Sequence, residues 1–114
     1  MRTQFSISSR AEADLTHQYR WYLNNANGAV AECFLSAFNA TVERLAQVPS
    51  LGRPRHFRTI ELQGIRSLMI GSGFNSHLVF YRLVGDIMSI ERVMHGARDL
   101  ERRLAEPPED SLDT

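Results

Sequence analysis

The chain has 114 residues, 43% of them hydrophobic, with six Phe, three Tyr and one Trp, so it fits one domain able to bury a core. Its 13 basic residues are all arginine and are balanced by 13 acids, for a formal net charge of zero. The single cysteine excludes an internal disulfide, and no uncharged run is long enough to span a bilayer. The first ten residues, MRTQFSISSR, lack the apolar centre of a signal peptide, so the expectation is a cytoplasmic protein without membrane contact.

Charge is unevenly distributed. Glu106, Glu109, Asp110 and Asp113 crowd the last nine residues, while nine acids and all 13 arginines lie in residues 1–105. That body therefore carries about +4. Residues 1–105 read as one domain, and 106–114, with Pro107-Pro108 and no base, as a disordered acidic tail. An all-arginine basic set suits bidentate contact with carboxylate or phosphate.

Residues 3–8 alternate, with Phe5 and Ile7 on one face, and predict a short strand. Ser9 and Glu12 have capping-box spacing, and a helix follows to about Asn24 with Leu15, Tyr19, Tyr22 and Leu23 on its apolar face. Asn24 to Gly28 reads as a stop and turn. A second helix spans about 29–48, with Val30, Phe34, Ala37, Phe38, Thr41 and Leu45 repeating at three and four. Cys33 reads as a small buried residue on that helix. The short link predicts an antiparallel hairpin, closed by a Pro49–Pro54 loop.

The period then changes to two. Residues 65–70, 76–84 and 87–94 predict three strands, joined by turns at Gly71-Ser72-Gly73 and Gly85-Asp86. Gly96 releases the chain into a short helix from Ala97 to about Leu104. The fold class is α+β: an N-terminal strand, an antiparallel helical hairpin, a three-stranded antiparallel meander and a short C-terminal helix.

Five pieces of the chain carry a family resemblance: AEADL at 11–15, LAQVPSLGRPR at 45–55, ELQGIRS at 61–67, LVFYR at 78–82 and RVMHGARDL at 92–100. In this order they resemble the RelE/ParE superfamily of type II toxin–antitoxin toxins, and within it the ParE, or plasmid-stabilisation, branch. The resemblance implies a toxin that binds and inhibits DNA gyrase. It implies neutralisation by a cognate ParD-like antitoxin, with operator DNA reached only through that antitoxin. The alternatives are a RelE-like ribosome-dependent mRNA endoribonuclease and a non-toxic remnant that still binds its antitoxin.

RNA cleavage would need a proton acceptor, a proton donor and cations around the phosphorane. The candidates for that chemistry are Arg66, Arg82, His95 and Arg98. His95 is the histidine among them, and imidazole suits proton transfer near neutral pH, whereas arginine does not. The plain alternative pairs Arg66 and Arg82 with Glu61, Glu91 or Asp99. The RelE branch resembles a more basic site with lysines before the meander, and this chain has Arg53, Arg55, His56 and Arg58 there. The reading favoured is therefore a binding protein without catalytic residues. Its partner-binding set is Trp21, Arg53, Arg55, Arg58, Arg66, Arg82 and His95. Trp21 lies on the polar side of the first helix, where an indole suits a partner anchor. No histidine pair has metal-ligand spacing on one element, so neither metal nor cofactor is expected. The acidic tail is expected to shield the body's positive charge.

Overall fold

The computed structural model describes residues 2–108. Strand β1 (Gln4–Ile7) leads into a hairpin of α1 (Ser9–Asn25) and α2 (Gly28–Gln47). Two 3₁₀ turns, Pro49–Leu51 and Ile60–Leu62, flank the short β2 (Arg53–Pro54). The meander β3 (Arg66–Met69), β4 (His77–Val84) and β5 (Ile87–His95) follows, then α3 (Leu100–Ala105). The strands form one five-stranded sheet in the order β1-β5-β4-β3-β2. β1 runs parallel to β5, and the other pairs are antiparallel.

The expected α+β architecture is present, with four local corrections. Ser8, not Ser9, caps α1. Its backbone is extended, and its hydroxyl accepts the Ala11 N–H at 3.1 Å. Ser8 wins because the same hydroxyl donates to the Glu91 carbonyl at 2.9 Å, tying the cap to β5. The loop at 49–54 contributes a strand, since Arg53 and Pro54 pair with Ser67 and Arg66. Proline is tolerated there because β2 is an edge strand. The last helix opens at Leu100 rather than Ala97, after Asp99 adopts a left-handed backbone at φ 51°. Cys33 is exposed on α2 rather than buried.

The apolar face of α1 also differs. Ala11 and Asp14 are its buried residues, with Leu15 and Tyr22 packed beside them. Leu23 is exposed, and Tyr19 donates its hydroxyl to Glu32 of α2 at 2.7 Å. The buried stripe of α2 is as expected from Phe34 through Leu45, with Val42 and Ala46 added.

Hydrophobic residues fill both faces of the sheet. Phe34, Phe38 and Leu45 of α2 pack on Val79, Tyr81, Met88, Ile90 and Val93. On the opposite face Leu100 and Leu104 of α3 pack on Leu78, Phe80 and Met94, with Leu62 and Ile65. This explains why β4 is buried at five successive positions, His77 to Tyr81. The register between β4 and β5 shifts at Phe80/Tyr81, whose partners are Arg92 and Ile90. Glu91 is therefore the extra residue of a bulge. The bulge inverts the alternation, so that Met88, Ile90 and Val93 all reach the α2 core.

Residues 109–114 lie outside the described residues, and with them most of the expected disordered tail. Of its first three residues, Pro108 is buried.

Candidate functional site

β1 covers the edge of β5 only as far as Ile90. Beyond that point the backbone of β5 needs other partners, and side chains of α1 supply them. Asp14 accepts the Val93 N–H at 3.0 Å, and Gln18 donates to the Val93 carbonyl at 2.7 Å. These bonds lay α1 along the free upper edge of β5 and leave an open groove of about 750 Å³. Its walls are α1, the ends of β4 and β5, and the segment from Arg103 to Pro107.

One ion pair sets the floor of the groove. The Arg92 guanidinium meets Asp14 through two bonds, Nε to Oδ2 at 2.8 Å and Nη2 to Oδ1 at 3.1 Å. Both side chains are nearly inaccessible, at 6% and 7% exposure. The remaining nitrogen, Nη1, donates to the carbonyls of Arg103, Leu104 and Glu106 at 3.3, 3.2 and 2.7 Å. Arg92 thus joins α1 to the C-terminal end of α3, where the carbonyls lack helical partners and the helix dipole favours a cation.

At the mouth, His77 and His95 face each other across β4 and β5, with ring centroids 4.8 Å apart. His77 is buried and ringed by Tyr22, Phe34 and Phe74. Tyr22 Oη and His77 Nε2 share a hydrogen bond at 2.8 Å, while Nδ1 has no partner among the described residues. Burial, reinforced by His95, pushes His77 down to about 4, so its imidazole is neutral at pH 7. Burial also raises Tyr22. Arg103 clamps the other side, donating to the carbonyls of His95 (2.6 Å) and Arg98 (3.0 Å). Trp21, 55% exposed, stands edge-to-face on Tyr22 at 5.3 Å and lines the groove with His17.

The candidate residues fall into separate places. Trp21 and His95 share the groove. Arg82 pairs with Ser89 and His95 with His77, five positions apart along β4. At strand rise this separates them by roughly 16 Å. Arg82 is ion-paired with Glu91 at 2.6 Å and donates to the carbonyls of Glu61 and Gln63. Arg66 donates to the carbonyls of Ser50 and Gly52. Arg55 donates to Ser67 Oγ and lies over the Phe80 ring. Arg53, Arg58 and Arg98 are exposed. Arg66 and Arg82 therefore do not converge with His95 on one point, because the strand register places them toward the opposite end of β4.

Sequence reasoning missed Asp14, Arg92, His77, Tyr22 and Arg103 as a group. A signal existed. Asp14 interrupts the apolar spacing of Ala11, Leu15 and Tyr22, and Arg92 interrupts an apolar strand. An acid and a base on two buried faces are candidates for each other.

A ParE toxin family model, described as the ParE toxin of the type II toxin–antitoxin system parDE, matches residues 5–100. Among solved structures, a chain of the chromosomal ParDE toxin–antitoxin system from P. aeruginosa superimposes with a TM-score of 0.68 at 21% identity. That match covers 84% of this chain and 98% of the other. A chain of the RelBE2 toxin–antitoxin complex from Mycobacterium tuberculosis gives a TM-score of 0.54 at 17% identity, covering 83% and 99%. At these identities the two structures establish the shared fold. No curated protein matches the sequence. The family match spans α1, α2 and all but the first residue of the sheet, and the chain belongs to the ParE toxin family of type II toxin–antitoxin systems.

Proposed function

We propose that this toxin arrests growth by binding DNA gyrase, without chemistry of its own, and that a ParD-like antitoxin neutralises it by docking along the α1–α3 groove. The observation that carries the reading is the dispersal of the arginines. Arg66 and Arg82 spend their guanidinium donors on loop carbonyls and Glu91, and His95 sits at the far end of the sheet. A phosphodiester-cleaving site needs those charges and a proton-transfer group around one phosphorus. The groove instead offers an exposed indole beside polar groups, which suits a polypeptide segment that orders on binding.

A supercoiling assay with purified toxin and gyrase tests the target. Inhibition that added antitoxin relieves is the expected result, and in cells it should accompany DNA-damage signalling and filamentation. His95→Ala should leave growth inhibition nearly intact. Translation arrest with cleaved mRNA, abolished by His95→Ala in a folded protein that still binds antitoxin, would replace this reading with a ribonuclease.

A further inference from the structure

We propose that the end of the sheet opposite the groove is a self-association surface, on which a second copy of this chain docks about a twofold axis. This surface is separate from the groove assigned to the antitoxin, and the inference holds whatever the toxin's target is. Three observations carry it.

The first is a gathering of exposed apolar side chains. Six of the nine large hydrophobics exposed among the described residues lie at this end: Val48, Leu51, Ile60, Leu83, Val84 and Ile87. Ile60 is the barest at 82% exposure, and Val84 follows at 60%. The register sets Leu83 opposite Met88 and Val84 opposite Ile87, next to the Gly85-Asp86 turn. His77 and His95 close the same two strands at the groove end. Folded monomers seldom leave apolar side chains grouped in this way in water.

The second is that the end is held in shape by hydrogen bonds. Tyr81 and Arg82 are successive on β4 and point to opposite faces of the sheet. Tyr81 Oη donates to the Pro49 carbonyl at 2.7 Å and accepts the Gly52 N–H at 2.8 Å, and Arg66 donates to the Gly52 carbonyl at 2.7 Å. These bonds fix the turn that carries Leu51. On the other face Arg82 donates to the carbonyls of Glu61 at 2.6 Å and Gln63 at 2.9 Å, which fixes the turn that carries Ile60. An apolar surface already ordered in the free protein loses little entropy on docking.

The third is the charge at its border. Arg44 and Arg53 flank Val48 and Leu51, while Glu61 and Asp86 flank Ile60 and Ile87. All four are exposed, and none has an ion pair among the described residues. A partner of one charge sign would meet like charge on one flank. A twofold axis instead sets the basic flank of each copy against the acidic flank of the other. The formal net charge of zero adds no long-range repulsion between copies.

Sedimentation equilibrium of purified toxin without antitoxin should give a mass near twice the 13.0 kDa of one chain at micromolar concentration. Ile60→Glu and Val84→Glu change exposed side chains, so both should stay folded by circular dichroism and raise the dimer Kd at least about tenfold. Trp21→Ala, in the groove, should leave that Kd unchanged. The variants Arg44→Glu/Arg53→Glu and Glu61→Arg/Asp86→Arg should each sediment as monomers alone and pair when mixed. A monomeric wild-type chain would overturn the proposal, and so would a dimer that Ile60→Glu and Val84→Glu leave intact. A mixture that fails to pair would overturn the flank-to-flank arrangement.

Discussion

Asp14→Ala removes one half of the buried pair that joins α1, β5 and α3. The remaining Arg92 would be a desolvated cation with only carbonyl partners, and the Val93 N–H would lose its acceptor. Breaking a buried pair from one side costs about 3–5 kcal/mol, because an uncompensated charge remains. For a domain of this size that is a fall in Tm of about 12–20 °C. Arg92→Leu should cost as much and should also expose the carbonyls at the end of α3, so amide exchange at residues 103–106 should accelerate. The double variant Asp14→Leu/Arg92→Leu should recover much of the loss, since neither charge then stays buried. Thermal denaturation of the four proteins gives the coupling. A fall below about 4 °C for either single variant, or strict additivity in the double, would show that water solvates the pair.

Gly52→Ala should destabilise by about 2–3 kcal/mol, because a Cβ there would lie 2.3 Å from the Tyr81 hydroxyl that accepts the Gly52 N–H. Chemical denaturation would measure it, and an unchanged midpoint would show that the Tyr81 ring gives way without cost. The imidazole of His77 is pushed below its unfolded value, so the unfolded chain binds the extra proton. Stability is then complete above about pH 6.5 and declines as pH falls toward about 4, by about 2–3 kcal/mol in all. His77→Gln should flatten Tm measured from pH 7 to 4.5, and an unchanged slope would assign the acid sensitivity elsewhere. Trp21→Ala should leave Tm nearly unchanged but weaken antitoxin binding by about 2 kcal/mol, a roughly thirtyfold rise in Kd by titration calorimetry.

The sequence by itself determined the order and type of the main elements, though not the edge strand β2. Phe34, Ala37, Phe38, Thr41 and Leu45 recur at helical spacing, and residues 76–94 alternate around Gly85-Asp86, so local periodicity carried that information. The choice of Ser8 over its neighbour as the cap was not legible there, because it turns on the Glu91 carbonyl, 83 residues away. The same holds for the groove. Asp14 and Arg92 are separated by 78 positions, and Tyr22 and His77 by 55. Each looks like a misplaced polar residue until the partner arrives. Tertiary structure decided these pairings because β1 stops at Ile7, leaving the upper edge of β5 with backbone groups that α1 side chains must satisfy. Tertiary structure likewise separated Arg82 from His95, since strand register, not sequence proximity, sets which side chains share an edge.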